Sequence, residues 1–219
     1  MDLLEAIRVR HSVRSFTDKK IDVETELFLR QYAEKCNKES GLNIQLCLNE
    51  PKAFDNMLAR YGRFDNCKNY IVLAGREGKD EECGYYGEKL VLKAQQLGLS
   101  SCWVGLTYNK SKVPVILSEG EKVRLVIALG YGKTSGVPHK SKDMLKLCKT
   151  DGEIPDWFKK GMEAAMSAPT AMNQQKFLMI QKGNTVTAKP LAGFYTKVDI
   201  GIVKYHFEIG AGAENFQWI

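Results

Sequence analysis

"GEKLVLKAQQLGLSSCWVG" (87–105) changes periodicity part of the way along. Leu90, Ala94 and Leu97, with Tyr86 just before them, recur at spacings of four, four and three, which is one face of a helix. The pattern predicts a helix over 80–98, the longest helical pattern in the chain, with Gly98 as its C-terminal stop. "SSCWVG" (100–105) then reads as a short strand or loop ending at Gly105. A glycine there lets backbone approach a flat ligand closely, although a plain helix–strand connection needs nothing more.

The elements on either side extend the mixture. "KVRLVIALG" (122–130) is a nearly continuous apolar run with β-branched residues, as in a strand covered on both faces. "NIQLCL" (43–48) and "NYIVLAG" (69–75) also read as strands, and "KFLMIQKG" with "TVTAKP" reads as two strands joined at Gly183-Asn184. Asp2 is placed to cap a first helix to about Arg8, with Leu3, Leu4 and Ile7 on one face. Asp22 is placed to cap a second helix to about Cys36, and Asp199 a last one from Ile200 to about Gly212. Pro155 starts a helix that runs to about Ser167. No repeat or low-complexity linker interrupts the chain. The expectation is one α+β domain spanning 1–219.

Composition removes several classes. The chain has 219 residues, 44% hydrophobic and 26% charged, which suits an ordinary globular protein. No apolar run approaches the roughly 18 residues needed to cross a bilayer, so no membrane role is expected. "MDLLEAIRVR" lacks a signal peptide's apolar region, and a cytoplasmic location is expected. Cys36, Cys47, Cys67, Cys83, Cys102 and Cys148 form no CxxC and have no histidine cluster beside them. They read as buried or free thiols, with no metal site. The formal charge of +6 is spread along the chain without aromatic interleaving. That favours small phosphorylated ligands over nucleic acid.

Two stretches carry candidate chemistry. "RVRHSVRSF" (8–16) sets Arg10, Ser12 and Arg14 at alternate positions. In an extended loop these point one way, two guanidiniums flanking a hydroxyl, which suits a phosphate or an anionic ring oxygen. A solvated basic loop explains the same residues. "SAPTAMNQQKF" (167–177) breaks a helix at Ala168-Pro169 and then presents Thr170, Asn173, Gln174 and Gln175. These are neutral donors and acceptors suited to the edge of a heterocycle, or equally to capping and turn formation.

Together, "RHSVRSF", "APTAMNQQ", "LGLSSCWVG" and "DIGIVKYHFEIGA" (199–211) resemble the flavin-dependent nitroreductase family. The late position of the "APTAMNQQ" element is similar to the TM nitroreductase subgroup, where TM is a label and not a membrane assignment. The resemblance implies a nitroreductase-like fold, a central, mostly antiparallel sheet flanked by helices. It implies FMN, held at the interface of a homodimer to which 82–98 is a candidate contributor. Arg10, His11 and Ser12, with Lys140 and Lys142, would take the phosphate. Arg14 would reach the N1/C2 edge of the ring, Asn173 the pyrimidine edge, and Pro169 and Thr170 the ring or ribityl chain, with Gln175 also a cofactor-binding residue. Backbone at Val104 and Gly105 would approach N5. The family's Pro-Trp is Lys176-Phe177 here, and lysines stand where its basic pair includes an arginine.

The activity implied is ping-pong transfer of hydride from NAD(P)H, through the cofactor, to a small-molecule acceptor such as a nitroaromatic or a quinone. No side chain is assigned as acid or base, and His206 reads as a half-buried structural histidine. A flavin-binding or flavin-sensing module with little turnover, and a basic nucleic-acid-binding domain, remain open at this point.

Overall fold

The computed structural model describes residues 1–219. Asp2 accepts from the N–H of Glu5 at 2.8 Å and opens α1 (Leu3–Val9). Ala6 and Ile7 are its buried residues, whereas Leu4 is exposed. α2 (Val23–Ser40) starts on Asp22, which accepts from Thr25 N–H at 2.9 Å. It runs a turn past Cys36 to Gly41, whose φ of 69° closes it. At 18 residues it exceeds the 17 of α4 (Asp80–Gln96), so the longest helix is not the one with the clearest apolar period. Val23, Leu27 and Phe28 are exposed on it, so its apolar residues do not mark a single buried face. α3 (Met57–Tyr61) is a short turn capped by Asn56.

The chain divides into two compact units, with the boundary inside α4. The antiparallel unit comprises 10–79 and 89–138. Its sheet has the order β1-β2-β4-β3, from β1 (Asn43–Cys47), β2 (Asn69–Gly75), β3 (Ser100–Val104) and β4 (Lys122–Gly130), antiparallel throughout. The two apolar runs are the central strands, with Ile71 opposite Ile127 and Val72 opposite Val126. Covered on both faces, each such side chain contributes about 1.5–3 kcal/mol by burial. Residues 12–16 extend the structure past β3 through a parallel bridge between Ser12 and Ser101. Leu90, Val91, Leu92 and Ala94 of α4 are buried within the chain itself. Of the face offered for a dimer contact, Leu90 and Ala94 are thus taken up in the chain's own core, while Tyr86 and Leu97 stay partly exposed.

The helical unit comprises 1–9, 80–88 and 139–219. α5 (Asp156–Met166) and α6 (Thr196–Ala211) pack together. α6 also lies against the start of α4 in backbone contact. A Cβ on Gly201 would sit 2.0 Å from the carbonyl oxygen of Glu81, and one on Gly84 would sit 1.9 Å from that of Val198. Only glycine fits at either place. His206 is wholly buried, not half-buried, and bridges Ala164 O at 3.1 Å and Glu88 Oε1 at 2.9 Å. It pins three helices together. The second sheet has the order β5-β6-β7-β8. The expected hairpin of β6 (Phe177–Lys182) and β7 (Thr185–Pro190) turns on Gly183. The two-residue strands β5 (Cys148–Lys149) and β8 (Gln217–Trp218) add to it in parallel.

α6 begins at Thr196, so Asp199 lies inside its first turn and does not cap it. The class is α+β, with an antiparallel sheet and flanking helices. No helix is long and apolar enough to cross a membrane.

Candidate functional site

In the antiparallel unit the basic turn is knitted in by backbone. Val13 N–H donates to Ser101 O at 3.0 Å, Phe16 N–H to Asp65 O at 3.1 Å and Thr17 N–H to Tyr131 O at 2.8 Å. Asp65 N–H and Lys133 N–H return bonds to Arg14 O and Ser15 O. Val13 and Phe16 are buried, and Ser12 and Arg14 are exposed. The alternation of an extended chain thus holds over Ser12, Val13 and Arg14 and breaks at Phe16, which is buried. Arg10 departs from it: it follows directly on α1 and is 3% exposed. His11 is partly covered by Gly136, where a Cβ would lie 2.7 Å from the Cβ of His11.

The three residues share a neighbour that the sequence did not mark. Cys102, on β3, is buried, and that burial raises its thiol pKa. Arg14, Ser12 and Arg10 all act on it in the opposite direction, through charge or a hydrogen bond. Both guanidiniums and the Ser12 hydroxyl thus lie near enough to Cys102 to favour its charged form. Val104, buried, pairs with Val126 at the end of β3, and Gly105 follows it. All six cysteines are buried and free, as the lack of a CxxC pattern suggests.

In the helical unit, residues 170–175 form a strained loop. Met172, Asn173 and Gln175 have φ of 50°, 52° and 44°. Asn tolerates this conformation, but for Met and Gln it costs of order 1–3 kcal/mol each and persists only where neighbours enforce it. Enforcement comes from two sides. On one, Asn173 Nδ2 and Gln175 Nε2 donate to Lys140 O at 2.9 and 2.8 Å, and Lys142 N–H donates to Gln175 Oε1 at 2.8 Å. The ammonium of Lys142 donates to the carbonyls of Gln174 and Gln175. On the other, Asp199 accepts from Ala171 N–H and from Gln174 Nε2, both at 2.9 Å. Thr170 Oγ1 closes the loop by accepting from Gln175 N–H at 3.0 Å.

The loop brings Pro169, Thr170, Asn173, Gln175, Lys140 and Lys142 together within this unit. Their roles differ from what the pattern suggested. Gln175 is 2% exposed and its amide also donates to Asn173 Oδ1, so it shapes the loop from within. Asn173 is exposed and retains one N–H and one lone pair. Lys140 keeps its side chain exposed, while Lys142 is tied to the loop backbone. Asp199 is the residue that sequence reasoning missed. Burial pushes its carboxyl up from 3.8 to about 6, against the two donors that pull it down.

No curated protein matches the chain. It is similar to solved structures, all at low identity. A protein from Thermotoga maritima described as a "putative nitroreductase" aligns at 20% identity and a TM-score of 0.69, over 98% of this chain and 85% of its own. One from Desulfovibrio desulfuricans, solved in complex with FMN, aligns at 21% and 0.54, over 67% and 95%. A protein from Parabacteroides distasonis described as "Putative NADH dehydrogenase/NAD(P)H nitroreductase" aligns at 20% and 0.53, over 69% and 98%. These establish the fold. The family described as "Putative TM nitroreductase" matches residues 2–211, and the chain belongs to that family.

Proposed function

We propose that the chain is an FMN-dependent oxidoreductase that uses NAD(P)H to reduce a small organic acceptor such as a nitroaromatic or a quinone. The observation that carries this reading is a pair of prepared surfaces in a chain of this family. One is the Arg10–Arg14 turn, with its hydroxyl between guanidiniums. The other is the loop that presents the Asn173 amide. The donor types fit the group. Ser12 and Arg14 are exposed for an anion, and Arg10, though buried, adds positive charge that is felt at Cys102. Neutral amide edges suit a flavin's pyrimidine edge, which offers both donors and acceptors.

In this reading Arg10, His11 and Ser12 hold the phosphate, and Arg14 sets positive charge at the ring's N1/C2 edge. Asn173 bonds the pyrimidine edge, and Pro169 and Thr170 line the cofactor. Val104 and Gly105 present backbone to it. Lys140 and Lys142 add positive charge to the helical unit's surface. FMN, when bound, supplies hydride transfer between nicotinamide and acceptor. The side chains bind, orient and supply charge, and none is assigned to move a proton. The whole chain acts as one FMN-binding domain and works as a cytoplasmic homodimer, as the family resemblance suggests.

The test is flavin identification followed by turnover. Protein purified without added cofactor should release FMN, not FAD, on heating, and should oxidise NADH or NADPH anaerobically with a nitroaromatic or quinone present. Reduction of the bound flavin only over hours would leave binding intact but remove the enzymatic reading.

A further inference from the structure

Asp199 is an ionisable group buried to 3% exposure, with no function in the assignments above. A plain helix start needs no buried carboxyl there, because its own N–H is already bonded to Tyr195 O at 2.8 Å. Its two oxygens instead leave the helix for the strained loop. Oδ1 takes the N–H of Ala171, and Oδ2 takes Nε2 of Gln174, which also donates to Phe194 O. An ionised carboxylate is acceptor-only, so it suits two donors at once. Once protonated, its hydroxyl oxygen meets a donor where it needs an acceptor. Gln174 cannot turn its amide to compensate without giving up Phe194 O.

We propose that Asp199 is a positioning residue for cofactor binding, whose ionised carboxylate holds the 171–175 loop in the shape that presents Asn173, with Met172, Asn173 and Gln175 in the left-handed region. The cofactor's identity rests on the FMN reading above, but the loop's dependence on Asp199 does not. Three non-glycine residues at positive φ within four positions need enforcement. The clamp from Lys140 and Lys142 reaches only the far half of the loop, 173–175. Asp199 supplies the bond at Ala171 N–H, immediately before Met172, the first left-handed residue.

The hold is pH-sensitive. Burial is the largest influence on the Asp199 carboxyl and raises it to about 6, and the two donors oppose it. Tyr195 and Lys197 neighbour it on α6. On the loop side stand Lys142, bound to Gln174 O, and Lys176, whose side chain packs with the Gln174 amide at Gly193. From α4, Glu81 meets Gly201 by its carbonyl, and its carboxylate is paired with Lys204. α5 meets α6 further along, at Phe207 and Gly210.

The experiment uses the full chain, wild type against Asp199→Asn and, from the loop side of the same bond, Gln174→Met. Hydrogen exchange of the peptide covering 168–177, corrected for intrinsic rates, is followed at about pH 5 and about pH 7.5, either side of the Asp199 transition. FMN affinity is measured by fluorescence titration at both. At the higher pH both variants should exchange roughly tenfold faster in this peptide and bind FMN about tenfold more weakly. β2 and β4 should be unchanged. Wild type should weaken towards pH 5, while Asp199→Asn stays flat. Loop exchange equal to wild type in both variants would overturn the proposal. So would a wild-type pH dependence that survives in Asp199→Asn. If wild type takes up no FMN at either pH, the FMN reading fails, and loop exchange alone decides the role of Asp199.

Discussion

Residues 12–17 and residues 170–175 both present polar groups, but they are held in opposite ways. The first stretch is tied by its main chain to Ser101, Asp65, Tyr131 and Lys133. Its exposed side chains, Ser12 and Arg14, carry little of the structure. The second is tied largely by side chains, from Asp199, Thr170, Gln174, Gln175 and Lys142, and its backbone is strained. A side-chain substitution in the first should change charge and leave shape alone. One in the second should change shape. In the loop, therefore, the residue that matters most need not touch the ligand.

The largest effect should come from the packing that sets Asp199 in place. Gly201→Ala puts a methyl 2.0 Å from Glu81 O. Overpacking of backbone against backbone should cost about 3 kcal/mol or more. Denaturant unfolding measures it, and a loss under ~1 kcal/mol would show that α4 and α6 part easily.

Asp199→Asn should sharpen the contrast by moving two quantities in opposite directions. Folded Asp199 keeps its proton up to about pH 6, against an ordinary 3.8. Between those values the folded state binds more protons than the unfolded one. Stability from this group therefore falls as pH rises through about 4 to 6, and stays lower above. The two-unit difference corresponds to up to about 3 kcal/mol. The neutral variant should be globally more stable at neutral pH and lose that slope, while its loop loosens. A variant with the wild-type stability–pH profile would mean that the carboxyl is not desolvated as placed.

If Arg10 holds the phosphate as proposed, Arg10→Ala should weaken FMN binding tenfold to a hundredfold, ~1.5–3 kcal/mol. Because Arg10 is buried, some loss of stability should accompany it, and affinity must be compared in fully folded protein. Arg14→Ala is the smallest change and the cleanest. Exposed and backbone-anchored, Arg14 should be removable with stability unchanged within ~0.5 kcal/mol. The midpoint potential of saturated flavin should fall by a few tens of millivolts, since ~30 mV is about 1.4 kcal/mol for two electrons. Equal potential shifts from Arg10→Ala and Arg14→Ala would erase the division between phosphate and ring.

How much could be read in advance follows the same contrast. β2 and β4 match their apolar runs end to end, because a strand buried on both faces leaves a continuous signal. Asp22, Gly98 and Gly183 do locally what their residue types prescribe. β5 and β8 were invisible because two residues cannot show a period. Ser12 and Arg14 were legible as an exposed pair, but Arg10 was not legible as buried, since alternation assumes an extended chain and α1 ends at Val9. Asp199 looked like a cap because an acid near a helix start usually is one. Gln175 looked like a ligand because the partners of its buried amide, at Lys140 and Lys142, are distant in sequence. Side chains that enforce a strained loop are recognisable only once their partners are.

The claim that this chain is built to hold FMN is tested most directly by the visible spectrum of the purified protein, before and after incubation with FMN and removal of the excess. The expected result is a flavin spectrum that stays with the protein, with FMN as the only flavin released on heating. Colourless protein that retains no added FMN would contradict it.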